Sequence, residues 1–216
     1  MEETRIFEEG KSWIAGIDEA GRGPLAGPVV ACAVAAKNRV DIPGVYDSKK
    51  LNRLQRKKLY QQIRKHPRLL IGIGQATVEE IEKLNILHAS LLAFSRAVED
   101  LKIKPDFCLL DGNQICPMIP VPQRALVKGD QRSFLIAAAS IIAKETRDRI
   151  MEEQDKKWPL YGFSLHKGYG TALHLKAIRQ FGPCRLHRTS FEPIKSLLSG
   201  DEERLTQTLF SFCGKS

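Results

Sequence analysis

Carboxylates stand where apolar runs stop. Ile14-Ala15-Gly16-Ile17 leads into Asp18-Glu19, Phe107-Cys108-Leu109-Leu110 leads into Asp111, and Asp130 stands just before a long alanine-rich stretch. A strand that ends in a carboxylate aims oxygen ligands from a rigid edge at a shared point. Oxygen donors without His or Cys suit hard cations such as Mg²⁺ or Mn²⁺, which keep several waters and take few protein ligands. Beside a basic surface, a pair of such ions would support phosphodiester hydrolysis. One would activate water and the other would stabilise the leaving oxygen.

Each acid also has a plainer reading. Asp111-Gly112-Asn113 is a possible turn, and Asp130 could cap the helix that follows it. Asp18 and Glu19 are adjacent in a mostly apolar setting, which a turn does not explain. Neighbouring strand residues face opposite ways. For both to serve one site, the strand must bend there or Glu19 must also contribute its backbone carbonyl.

The elements that position these residues follow from periodicity. Ser12–Asp18 and Pro28–Ala36 read as strands, the second apolar enough to be buried on both faces. Residues 21–27 between them are glycine-rich turn material. That loop is followed by strand and not helix, and no Gly-Lys-Ser/Thr is present, so a dinucleotide or P-loop site is excluded. Its bare backbone can approach a ligand closely, with Arg22 available for a phosphate. Asn52–Lys65 reads as a basic helix with Leu54, Leu59 and Ile63 on its apolar side. Leu69–Gln75, Asp106–Leu110 and Arg124–Val127 read as strands. Thr77–Leu101 reads as a long helix opened by a capping box at Thr77-Val78-Glu79-Glu80. A second long helix spans 131 to about 153, with small residues Ala137-Ala138-Ala139-Ser140 on a face that can sit close to a sheet. A further helix spans Thr171–Phe181. Strands alternating with helices make this a mixed α/β domain with helices on a central sheet.

Composition narrows the partner. The chain has 216 residues, 43% hydrophobic and 27% charged, with a net charge of +9. That is a soluble globular composition. No apolar run approaches the ~20 residues of a membrane span. The acidic N-terminus lacks a signal core, so secretion by that route is not expected. The cysteines at 32, 108, 116, 184 and 213 are scattered without Cys-x-x-Cys, as in reduced thiols of a cytoplasmic protein. Nine basic residues and no acid lie between Lys49 and Arg68, and seven more between Lys156 and Phe191. Two such blocks suit a phosphate backbone crossing the surface. Aromatics are only 7%, which gives little support to a single-strand stacking platform. The histidines (His66, His88, His166, His174 and His187) show no metal-ligand spacing and are expected on the surface.

These motifs carry a family resemblance. The run from Gly16 through Asp18-Glu19-Ala20-Gly21-Arg22-Gly23 to Val29 resembles the opening signature of bacterial ribonuclease HII. Asp47-Ser48-Lys49-Lys50-Leu51, Asp111-Gly112, Lys128-Gly129-Asp130, Ala138–Lys144 and His166-Lys167-Gly168-Tyr169-Gly170 resemble that family in the same order, over about residues 12 to 192. Only 17 residues precede Asp18, so the resemblance is to the type without an added N-terminal domain.

The resemblance implies an RNase H-like fold, a mixed central sheet flanked by helices, with a C-terminal helical extension. Residues 1–155 would form the catalytic domain, and 156–216 a basic helical extension packed on it. It also implies a metal-dependent endoribonuclease. Such an enzyme would cleave RNA in RNA–DNA hybrids and cut 5′ of ribonucleotides embedded in duplex DNA, leaving a 3′-hydroxyl and a 5′-phosphate. Asp18, Glu19, Asp111 and Asp130 would hold two Mg²⁺ or Mn²⁺ ions. Gly21, Arg22 and Gly23 would read the ribose 2′-OH, and Tyr169 the following deoxyribose. Lys49, Lys128 and Lys144 would face phosphates. Asp148 competes for the fourth acid; the family's Lys-Gly-Asp favours Asp130. The protein would act as a monomer, away from membranes. The tail from Leu205 to Phe212 has the wrong spacing for a sliding-clamp peptide. Two rivals remain at this stage: another nuclease of the same fold acting on DNA, and a non-catalytic RNA- or hybrid-binding module whose acids are turns and caps.

Overall fold

Alternation of two apolar faces along the strands sets the architecture. The computed structural model describes residues 1–46 and 51–200. Its elements are α1 (Glu2–Glu8), β1 (Ile14–Ala20), β2 (Val29–Ala36), α2 (Arg53–Lys65), β3 (Leu70–Ala76), α3 (Val78–Asp100), β4 (Phe107–Asp111), β5 (Gln123–Leu126), α4 (Phe134–Lys157), α5 (Phe163–His166), α6 (Ala172–Phe181) and α7 (Ile194–Ser199). The sheet order is β3-β2-β1-β4-β5. The first three strands pair antiparallel, whereas β4 and β5 run parallel to β1.

One sheet face carries Ile14, Cys32, Val34 and Leu109 against Phe134, Ile136 and Ala137–Ala139 of α4. The other carries Ala15, Ile17, Ala33, Cys108 and Leu110 against Ala89, Ala93, Phe94 and Ala97 of α3. Covered on both faces, β2 is buried at every residue, which explains its unbroken apolar run. Helix α4 presses onto β1 at Gly16, where a Cβ would lie 2.3 Å from the Leu135 carbonyl carbon. Only glycine permits that approach, and it brings the start of α4 over the strand that carries Asp18.

The expected helices and strands are present, with local differences. Strand β1 runs through Asp18 and Glu19 to Ala20 and does not stop at Asp18. Asp130 does not cap α4. Ser133 does, accepting the Ile136 N–H at 3.3 Å, while Asp130 sits in a 3-10 turn over Gly129–Gln131. Helix α3 breaks at Asn85 (φ 65°, ψ 167°), whose Oδ1 accepts the Leu87 N–H at 2.9 Å and restarts the helix. Leu54 is exposed, whereas Leu59, Tyr60 and Ile63 are buried. At 100° per residue Leu54 lies about 140° around from Leu59, off the buried face. The N-terminal helix was not legible in the sequence. Its Glu3 Oε1 accepts the Phe134 N–H at 2.7 Å and ties α1 to the start of α4. The Leu205–Phe212 reading falls outside the described residues.

Candidate active site

Register brings two acids together. Ile17 pairs with Leu110 across the parallel β1–β4 ladder, so the next step sets Asp18 beside Asp111 on strands about 4.8 Å apart. Both follow residues of the α4 face by alternation, so their side chains share that face. Asp18 is buried, 7% exposed, and accepts the Glu19 N–H at 2.7 Å. Asp111 Oδ1 accepts the Gly129 N–H at 2.7 Å, which anchors the turn holding the buried Asp130 to the end of β4.

The electrostatics are those of crowded acids. Burial, then the Glu19 and Asp111 charges, push the Asp18 carboxyl well above the usual carboxylate range, against a hydrogen bond from Ser140 of α4. Glu19 is raised by burial, against the charge and hydrogen bond of Arg22, with Asp111 adding to the rise. The Arg22–Glu19 ion pair measures 3.3 Å. The β1–β2 pairing stays unbroken to Ala20↔Val30, so the strand does not break at Glu19. Among the described residues, no three Asp, Glu, His or Cys side chains form a group able to hold an ion as they stand. The donor set nonetheless fits a hard divalent cation. It consists of carboxylate oxygens that disfavour one another's charge, and a cation would relieve that cost.

Two clefts meet at Glu19. The larger, about 490 Å³, is lined by Glu19, Gly21, Arg22, Gly23, Ser140, Lys144 and Tyr169 among others. The smaller, about 220 Å³, shares Glu19 and Arg22 and adds Asp111, Gly112 and α3 residues such as Leu91 and Phe94. The structure therefore gathers Gly21, Arg22, Gly23, Lys144 and Tyr169 around one cleft, with Glu19 where it meets the other. Lys144 pairs with Asp148, and its Nζ lies 5.9 Å from the Tyr169 ring centroid. Lys128 is exposed in the left-handed region (φ 55°) beside Gly129, outside both clefts. Lys49 lies outside the described residues. Asp148, the competing acid, is engaged by Lys144 and by Arg56 at 3.2 Å.

Part of the basic surplus is answered within the fold. Arg56 pairs with Glu145 at 3.5 Å as well as Asp148, and Arg53 pairs with Glu152. These acids lie on α4, remote in sequence from the basic block, so a linear scan of charge could not show the pairing.

Two residues that sequence reasoning passed over hold the glycine loop. Arg188, fully buried, donates to the carbonyls of Gly21, Arg22, Pro24 and Gly27 at 2.6–3.0 Å. Arg147, also fully buried, donates to Ala26, Pro28 and Lys167 carbonyls at 2.9–3.0 Å. The histidine expectation is corrected at three of the five positions, while His88 is exposed. His166, His174 and His187 are buried; the His166 and His174 rings stack, and His174 Nε2 lies 3.0 Å from His187 Nε2.

The ribonuclease HII family model matches residues 15–194. The chain belongs to the ribonuclease HII family. It is 54% identical over 187 residues to the ribonuclease HII of a Marinomonas species, covering 87% of this chain and 94% of that one. It is 50% identical over 196 residues to that of Syntrophotalea carbinolica, covering 91% and 93%. The solved ribonuclease H2 of Pyrococcus horikoshii superposes with a TM-score of 0.72 at 28% identity, covering 90% of this chain and 99% of that one. The ribonuclease HII family and the RNase H-like fold make this chain an endoribonuclease of the ribonuclease H type. Among the described residues, no helix is long and apolar enough to cross a membrane.

Proposed function

We propose that this protein hydrolyses the RNA strand of RNA–DNA hybrids and cuts on the 5′ side of ribonucleotides embedded in duplex DNA. Mg²⁺ or Mn²⁺ would be held by Asp18, Glu19, Asp111 and Asp130. The observation that carries this reading is the position of Glu19, one of the mutually repelling acids, where the cleft lined by Gly21-Arg22-Gly23 meets the cleft lined by Asp111. When bound, the divalent cations supply an activated water and neutralise charge on the leaving oxygen. The chain's residues do the rest. Gly21, Arg22 and Gly23 approach the ribose and select its 2′-OH, Tyr169 lies against the next deoxyribose, and Lys49, Lys128 and Lys144 take phosphates.

The acid-bearing strands and the Gly21-Arg22-Gly23 loop belong to the proposed catalytic domain, residues 1–155, and Tyr169 to the extension, residues 156–216. All described site residues come from one chain, so a monomer suffices. Free thiols at Cys32, Cys108, Cys116 and Cys184 suit a reducing cytoplasm.

The test uses a 5′-labelled RNA strand annealed to DNA, with Mg²⁺, Mn²⁺ or EDTA, against Asp111→Asn. Metal-dependent cleavage lost in the variant is expected. Hybrid binding without cleavage under either metal would refute the reading.

A further inference from the structure

The proposed reader of the ribose and the proposed reader of the deoxyribose come from distant parts of the chain. Residues 21–28 link β1 to β2, whereas residues 167–169 follow α5. The two loops touch. Leu25 N–H donates to the Gly168 carbonyl at 2.8 Å, and a Cβ on Gly168 would lie 2.5 Å from the Ala26 carbonyl oxygen. One buried side chain from a third element joins them. Arg147 of α4 donates through Nε to Pro28 at 3.0 Å, through Nη2 to Ala26 at 2.9 Å and through Nη1 to Lys167 at 3.0 Å. Its Nε would stand 2.2 Å from a Cβ on Gly21, whose φ is +103°, so the guanidinium also underlies the first residue of the glycine loop.

A guanidinium is suited to this task. Its donors are fixed in one plane, so holding carbonyls on two loops at once fixes the loops relative to each other. Lysine's single ammonium, on a flexible stem, cannot reproduce that fork. The cation is fully buried and its bonds to carbonyls offset the loss of water.

We infer that Arg147 is a positioning residue that holds the Gly21-Arg22-Gly23 loop and Tyr169 in register, so that the RNA-to-DNA step is read as one unit. The inference rests on the proposed function, because it assumes that these two elements read neighbouring sugars. Loosening Arg147 should weaken recognition of the junction more than chemistry at the acids, which lie on β1, on β4 and in the turn over Gly129–Gln131. A displacement of about 1 Å in a positioning element can cost up to ~100-fold in rate.

The experiment compares kcat and KM on two duplexes in Mg²⁺. One is DNA with a single embedded ribonucleotide, and the other is an RNA strand fully paired to DNA, which offers no RNA-to-DNA step. The variants are Arg147→Lys and Arg147→Gln, each first checked for a cooperative thermal transition. The expected result is a drop of about tenfold or more in the junction-to-hybrid ratio of kcat/KM, with the uniform hybrid changed less than about threefold. Equal losses on both duplexes, or an unchanged ratio, would overturn the inference while leaving the proposed function intact. Loss of folding in both variants would overturn it too, since Arg147 would then serve the fold and not the reading of sugars. Wild-type protein that cuts neither duplex would instead overturn the proposed function, and this inference with it.

Discussion

The Gly129 N–H donates to Asp111 Oδ1 at 2.7 Å, and this bond ties the carboxylate ending β4 to the turn that carries Asp130. The space at Gly129 is closed. A Cβ there would lie 3.1 Å from Asp111 Oδ1 and 2.6 Å from Ile136 Cδ1. Gly129→Ala should therefore displace the Asp111 carboxylate by a few tenths of an ångström. Cleavage is expected to fall on the order of tenfold, with a stability loss of about 1 kcal/mol. Steady-state rates and a thermal melt on the same sample check this, and wild-type activity in the variant would show that the tie does not matter.

Asp18 is costly to the apo protein. Burial and the charges of Glu19 and Asp111 raise its carboxyl above the normal range. A raised folded-state value means that the folded form holds its proton more tightly, so stability falls as pH rises from the unfolded value through the folded one. Asp18→Asn removes that cost. In EDTA at pH 7 the variant should melt higher than wild type while losing cleavage. Added Mg²⁺ or Mn²⁺ should raise the wild-type melting temperature more than the variant's. A variant that melts lower in EDTA would show that the carboxylates do not repel as described.

The histidine stack predicts acid sensitivity. His174 Nδ1 is 2.9 Å from the Tyr169 carbonyl and so donates to it, which leaves Nε2 to accept from His187 Nε2–H. His187 Nδ1 accepts the Cys184 N–H at 2.8 Å. Every ring nitrogen in this chain of bonds is used with both rings neutral. Burial lowers His174 to about 3 and His187 to about 4. A lowered folded value gives stability that is full above the unfolded value near 6.5 and lost as pH falls through the window from 6.5 to about 3–4. The slope is about 1.4 kcal/mol per pH unit for each histidine. Denaturant melts between pH 7 and 5 should show it, and His187→Gln should flatten it. An unchanged slope in that variant would contradict the assignment.

Arg188→Met should destabilise the protein by at least about 3 kcal/mol, because the carbonyls of Gly21, Arg22, Pro24 and Gly27 lose their buried donor and an unsatisfied buried acceptor costs about 1–3 kcal/mol. Urea melts would measure it. A loss below about 1 kcal/mol would mean that water or other donors replace the guanidinium.

Most of the fold was legible because its periodicities are clean. The strand at 28–36 is apolar throughout, and Thr77 with Glu80 forms the capping box that the sequence announces. The acids at strand ends were legible for the same reason, since an apolar run stopping in Asp is a local signal. What was not legible is long-range. Arg147 and Arg188 bind carbonyls more than a hundred residues away, and backbone carbonyls leave no mark in a sequence. His166, His174 and His187 looked solvent-exposed because backbone groups, and for His174 and His187 each other's ring nitrogens, satisfy them inside the fold, which leaves no local pattern. The break at Asn85 was hidden because the apolar spacing continues across it.

The most direct measurement uses two labelled DNA duplexes that differ by one 2′-OH, one carrying a single ribonucleotide and one all DNA. Each is incubated with the protein in Mg²⁺ or Mn²⁺, and the ends of any product are mapped. A single metal-dependent nick on the 5′ side of the ribonucleotide, leaving a 3′-hydroxyl and a 5′-phosphate, with the all-DNA duplex intact, is the predicted result. Equal cutting of both duplexes, or a cyclic phosphate at the nick, would contradict the account.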